Sequence, residues 1–260
     1  MSRIETAFAR AAAEERAAFV PYLTAGFPSR DAFLTHARTL LAYGDVLEVG
    51  LPYSDPLGDG PTIQRASETA LENGVTPPDV FAMIAELREA SDAPLVLMSY
   101  YNPIYCYPRG GEAGFVRDLA AAGADGLILP DLPPDEAETL IESAREHDLD
   151  TVFLVAPTST PARLATVTDA CRGFVYAVSV TGVTGARDAA PEDLPEFVAR
   201  VRAASDLPVG VGFGVSNAAT ARPVAAVADG VVVGSALIRA IDRGDGLDAL
   251  AAEIAAACRR

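Results

Sequence analysis

The sequence predicts a (β/α)₈ barrel of the TIM type, and three observations carry the prediction. Eight short apolar runs recur along the 260 residues, and longer stretches with helical spacing of apolar positions separate them. The runs are continuous rather than alternating, as parallel strands buried on both faces must be. The strand-helix rhythm meets no linker, so residues 1–260 read as a single barrel domain, a length that suits this architecture. A doubly wound open sheet is the second choice. No Gly-x-Gly-x-x-Gly follows the first run, where its dinucleotide fingerprint would lie.

Residues 3–15 place Ile4, Phe8 and Ala11 or Ala12 on one face, an extra N-terminal helix suited to closing the barrel floor. Strand 19–23 then precedes a helix at 31–42, and strand 46–49 precedes helices at 62–72 and 78–90. Strands 95–99, 126–129, 152–155 and 174–178 precede helices at 112–122, 135–147, 161–170 and 192–203. Strand 209–211 leads to a helix at 217–227, and strand 230–233 to a short helix at 235–241 and a last one at 247–258.

Composition excludes several functions. A net charge of −16 leaves no basic stripe for nucleic acid and disfavours anionic membranes. No apolar run reaches the roughly 20 residues that span a bilayer, and no leader pattern opens the chain, so a soluble cytoplasmic protein is expected. Every basic residue is arginine, which removes Schiff-base and P-loop lysine chemistry. An acidic, lysine-free surface also suits a host with a high-salt cytosol. Cys106, Cys171 and Cys258 are odd in number and far apart, which argues against disulfides. His36 and His147 fall on an outer helix and near a helix end as surface or capping residues, and no metal is expected.

In a barrel, residues at the C-terminal ends of the strands face one mouth. Glu48 ends the second strand, inside an apolar run where a carboxylate is costly unless chemistry needs it. Asp55 and Asp59 follow in a loop that Gly and Pro residues stiffen. Asn102, Asp131 and Tyr176 also fall at strand ends or in the loops beyond them. Two carboxylates in unlike environments can divide acid and base roles, which makes Glu48 and Asp59 the leading pair. The tyrosines at 100, 101, 105 and 107 are expected mainly to pack, with a binding surface as the alternative.

Gly212-Phe213-Gly214 and Gly234-Ser235-Ala236 follow the last two strands, where such barrels bind phosphate beside a short extra helix. Ser235 is expected to cap that helix and to donate to the ligand. The segment 179–187, with Thr184 between two glycines, suits a lid. A different phosphate-binding barrel, such as a sugar-phosphate isomerase, would show similar phosphate loops.

The run from Leu47-Glu48-Val49-Gly50-Leu51-Pro52-Tyr53-Ser54-Asp55 through Pro56-Leu57-Gly58-Asp59-Gly60-Pro61-Thr62-Ile63-Gln64 closely resembles the signature of the tryptophan synthase α-subunit family. Phe19 to Gly26, Pro130-Asp131-Leu132-Pro133, Gly182-Val183-Thr184-Gly185 and Gly212-Phe213-Gly214 support the resemblance in order, essentially from end to end. It implies retro-aldol cleavage of indole-3-glycerol phosphate to indole and glyceraldehyde 3-phosphate, within a carbon–oxygen lyase complex. No cofactor is implied in this subunit. The resemblance also implies an α₂β₂ complex in which indole passes to a pyridoxal-phosphate-dependent β subunit that makes tryptophan.

Glu48 matches the family's general acid and base, Asp59 the residue that holds the indole N–H, and Tyr176 a tyrosine beside the glutamate. Tyr22, Ile63, Met98 and Phe213 match residues near the indole or its side chain, and Thr184 the lid threonine. Gly185, Gly214, Gly234 and Ser235 match phosphate contacts. Tyr22 and Met98 stand where enteric members have phenylalanine and leucine, and Val180 where they have a lid arginine. The loop 52–60 and the segment 102–107 are the implied partner contacts.

Overall fold

The computed structural model describes residues 1–178, 193–212 and 214–260. Its strands are β1 (Ala18–Thr24), β2 (Leu47–Gly50), β3 (Leu95–Met98), β4 (Gly126–Leu129), β5 (Asp150–Val155), β6 (Val175–Val178), β7 (Val209–Gly212) and β8 (Gly230–Val233). They pair in chain order, all parallel, and β8 returns to β1 to close the barrel. All eight expected strands are present.

The helices begin with α1 (Arg3–Ala13), α2 (Arg30–Leu41), α3 (Pro61–Glu72), α4 (Pro77–Ala90), α5 (Tyr101–Tyr105) and α6 (Gly111–Ala121). They continue with α7 (Glu138–Glu146), α8 (Pro161–Ala170), α9 (Leu194–Arg202), α10 (Ala218–Val227), α11 (Ser235–Arg243) and α12 (Leu247–Ala257). Two departures from the sequence expectation stand out. Helix α5 is new; at five residues it is too short for apolar periodicity to reveal. Its Pro103 sits in the first turn, where a missing N–H costs nothing. The expected helix at 135–147 opens instead as a 3₁₀ turn, Pro134–Glu136, before α7 begins.

Helix α1 starts on a capping box: the Glu5 amide donates to Ser2 Oγ at 3.2 Å, and the Ser2 amide to Glu5 Oε2 at 2.9 Å. It buries Ile4, Ala7, Phe8 and Ala11 against inward-facing Val20, Val46, Val96, Ile128, Val152, Phe174 and Val232, so it plugs the floor as expected. Phe8 stacks on Phe174 with ring centroids 5.3 Å apart.

That floor layer positions the mouth. Strand side chains return to the same face every second residue. One step above Val20, Val46, Val96 and Phe174 lie Tyr22, Glu48, Met98 and Tyr176. Register places Tyr22 opposite Glu48, and Glu48 opposite Val96. Among the described residues no helix is long and apolar enough to cross a membrane.

Candidate active site

Glu48 is 1% exposed, and among the described residues its Oε2 has no hydrogen-bond partner. Burial, aided by the negative charge of Asp59, pushes the Glu48 carboxyl up to about 8. Asp59 is buried in the loop after β2; burial raises it to about 6, and a hydrogen bond from the Tyr100 hydroxyl works in the opposite direction. The two acids therefore differ in environment: one is buried without a partner, the other is held by a tyrosine hydroxyl.

Two tyrosines frame them. Burial and the nearby Asp59 and Glu48 hold the Tyr22 phenol far above its usual range, and burial with Glu48 and Asp59 does the same for Tyr176. Tyr22 shares a hydrogen bond of 3.2 Å with Thr24 Oγ1. Each ring needs a glycine beside it. A β-carbon at Gly50 would collide with the Tyr22 hydroxyl, and one at Gly212 would lie 2.6 Å from Tyr176.

A cleft of about 220 Å³ is lined by Tyr22, Gly50, Leu51, Tyr53, Pro56, Asp59, Ser67, Met98 and Tyr100. It joins three expected residues, Tyr22, Met98 and Asp59. Ile63 is buried in the first turn of α3 and is not among the lining side chains. Gly214 follows β7 with φ +29°, and Gly234 and Ser235 follow β8. A β-carbon at Gly234 would lie 3.2 Å from the Tyr22 ring, so the head of α11 adjoins the cleft's Tyr22 wall. Ser235 is not the cap expected of it: Gly234 occupies that position, without a side-chain bond, and Ser235 opens the helix. The chain turns out of β8 so sharply that the cap falls on the glycine, leaving the serine hydroxyl uncommitted to capping. Thr184, Gly185, Phe213, Val180 and the rest of the expected lid lie outside the described residues.

Of the other candidates, Asp131 is exposed and accepts the Tyr101 amide at 2.9 Å, Asn102 is exposed, and Asp55 accepts the Ser54 hydroxyl at 2.5 Å. His147 caps α7, with Nδ1 2.9 Å from the Ser143 carbonyl. Among the described residues no group of three or more His, Cys, Asp or Glu is placed to hold a metal ion.

The family model described as tryptophan synthase alpha chain matches residues 8–259. This chain belongs to the tryptophan synthase alpha chain family. A tryptophan synthase alpha chain from Deinococcus radiodurans is 54% identical over 261 residues, which span 100% of this chain and 96% of that one. One from Mycobacterium tuberculosis is 50% identical over 260 residues, 99% of this chain and 95% of the other. The solved structure of Mycobacterium tuberculosis tryptophan synthase in space group F222 superposes with a TM-score of 0.93 at 49% identity, over 100% of this chain and 99% of that one.

In this member of the tryptophan synthase alpha chain family, Tyr100 packs against Tyr53 as expected of it, and the fold also puts its hydroxyl on Asp59. Tyr53 and Ser67, which line the same cleft, were not anticipated. A signal was present for Tyr100, which stands just past the end of β3, where mouth residues come from. Ser67 shares the apolar face of α3 with Ile63, Ala66 and Ala70, so helical spacing marked it as inward but not as part of a cleft.

Proposed function

We propose that this chain cleaves indole-3-glycerol phosphate to indole and glyceraldehyde 3-phosphate, and passes the indole to a β subunit for tryptophan synthesis. The observation that carries the reading is the buried, unpartnered Oε2 of Glu48 beside Asp59. With its acid raised to about 8, Glu48 is protonated at neutral pH and can deliver that proton to indole C3. Asp59, raised only to about 6, stays mostly ionised; it accepts the ring N–H and offsets the positive charge that protonation puts on the ring. The Glu48 carboxylate then takes the proton of the side-chain hydroxyl. The carbon–carbon bond breaks, its electron pair returns to the ring, and the oxygen-bearing carbon leaves as the aldehyde. Protons and electrons balance, and Glu48 ends protonated again.

Tyr22 and Met98 wall the indole end, Tyr176 stands beside Glu48, and Ile63, Phe213 and Thr184 complete the substrate contacts. Gly185, Gly214, Gly234 and Ser235 hold the phosphate. Lacking lysine, the chain relies for this on amides without intrahelical partners at the head of α11. The partner meets the loop 52–60 and the segment 102–107, where Leu57 is 86% and Tyr105 65% exposed. Pyridoxal phosphate belongs to that partner.

Residues 1–260 act as one domain, a reading supported by the chain ends meeting: the Ala17 amide donates to the Cys258 carbonyl at 2.9 Å. Burial pushes the Cys171 and Cys258 thiols up to about 12, and such inert thiols suit a reducing cytoplasm. The −16 charge suits a high-salt host, so the urea midpoint should rise with added KCl; equal midpoints in dilute buffer and molar salt would remove that idea. The decisive assay mixes the chain with β subunit and indole-3-glycerol phosphate and measures indole. No indole would sink the proposed activity.

A further inference from the structure

The Tyr100 hydroxyl makes two contacts at once, donating to Asp59 Oδ2 at 3.2 Å and accepting from the Gly58 amide at 3.0 Å. The loop they belong to has its own internal ties. The Asp59 amide reaches the Pro56 carbonyl at 3.0 Å, the Leu57 amide the Asp55 carbonyl at 2.9 Å, and Gln64 Nε2 the Asp59 carbonyl at 2.8 Å. All of these fix backbone. Among the described residues only Tyr100 holds the Asp59 carboxylate. Tyr100 itself is 6% exposed, tilted against Tyr53 at 5.3 Å between ring centroids, and begins just after a barrel strand. A rigid element thus grips a carboxylate carried by a loop whose tip, Leu57 and Gly58, faces solvent.

We propose that Tyr100 is a positioning residue: its hydroxyl clamps Asp59 Oδ2 and the Gly58 amide together, fixing the carboxylate so that Oδ1 faces the substrate's ring nitrogen. The proposal deepens the cleavage reading and rests on it for its catalytic consequence. Among the described residues the groups facing Asp59 are Tyr22 from β1, Glu48 from β2, Tyr176 from β6 and Tyr100 beyond β3, with Asp131 acting on Tyr100 from beyond β4. None of them is cationic. Burial drives Asp59 upward, and the Tyr100 hydrogen bond is the force opposing it. Without that donor the carboxylate would be both looser and more readily protonated.

Tyr100→Phe keeps the ring and removes the clamp. In the full chain, carboxyl-carbon NMR of Asp59 should titrate near pH 6 in the wild type and at higher pH in the variant. With β subunit present, the acid limb of kcat/KM for indole release should move up with it, and a limb displaced by a whole pH unit lowers the rate along it about tenfold. The deficit should shrink at higher pH; a merely structural role would lower the rate by one factor at every pH. The reciprocal measurement needs no folded Tyr100 variant. In Asp59→Asn the Tyr100 phenol, read by ζ-carbon NMR, should titrate lower than in the wild type, because the charge and acceptor that raise it are gone. An unmoved Asp59 midpoint in Tyr100→Phe, or an unmoved Tyr100 midpoint in Asp59→Asn, would overturn the clamp. Neither titration uses substrate, so absent indole release would sink the cleavage reading while the titrations still decided this one.

Discussion

The two ends of the barrel both bury carboxylates, and they treat them in opposite ways. At the floor, Asp45 receives the Arg16 guanidinium on both oxygens at 2.5 and 2.8 Å, Arg10 at 3.1 Å and the Phe19 amide at 2.9 Å. Asp125 receives Arg88, Arg3 at 3.0 Å and the Leu95 amide at 2.8 Å; the half-buried Asp229 receives Arg202 at 2.8 Å and the Val209 amide at 3.0 Å. Each aspartate stands just before an even-numbered strand and bonds the amide that begins, or nearly begins, the odd strand before it. Burial pushes the Asp45 carboxyl up, but Arg16, the Phe19 amide and Arg10 outweigh it and leave it below its usual range. At the mouth the same apolar surroundings hold Glu48 with no cation among the described residues, and its acid climbs to about 8. Burial raises a carboxylate where no cation offsets it, a condition that proton chemistry needs but that does not by itself confer catalysis. Asp150 tests the rule. It sits at the floor with Oδ2 unpartnered and Arg172 3.6 Å away, and burial raises it too.

The contrast can be broken most sharply at Glu48. Glu48→Gln should lower indole release about 10³-fold, within the range for a lost general acid-base, while the circular dichroism spectrum and β-subunit binding stay unchanged. Full activity in that variant would remove Glu48 from the chemistry. Asp45→Ala should do the reverse. It strips the Phe19 amide of its carboxylate and leaves Arg16 only Glu14 and the Ala17 carbonyl, and should cost about 3 kcal/mol in urea unfolding, with kcat of the folded fraction unchanged. A smaller effect lies in the pH dependence of stability, where the two ends have opposite signs. Glu48 binds its proton more tightly folded, so stability is full below about pH 4.5, declines as pH rises, and is lost by about pH 8. Asp45 binds its proton less tightly folded, so its contribution is present above the usual aspartate range and is lost as pH falls below it. Unfolding free energies measured from pH 3 to 9 should show Glu48→Gln flattening the alkaline decline by a few kcal/mol and Asp45→Asn flattening only the acid side. A Glu48→Gln curve parallel to the wild type would contradict the raised acid.

Much of the fold was legible because its signals are local. Eight continuous apolar runs mark strands whatever lies across from them, and Ile4, Phe8 and Ala11 mark a helix face wherever it docks. Glu48 was legible for a related reason: a carboxylate in register with Val46 must share its inward face. The Asp-Arg pairs at the floor were not legible. The aspartates stand before apolar runs in plain view, but Arg88 is 37 residues from Asp125 and Arg202 is 27 from Asp229. Tyr100 packs as its run of tyrosines suggests, but nothing in that run shows which phenol meets a carboxylate 41 residues away. Ser235 lost its expected capping role to Gly234 through a backbone turn that residue type does not dictate.

By itself, then, the sequence determined the barrel, its floor helix and the inward pointing of Glu48, because periodicity and the cost of burying charge act within a few residues. Only the tertiary structure decided which acids are neutralised and which are left alone. That choice depends on distances between residues far apart in the chain, which the docking of neighbouring strand-helix units sets.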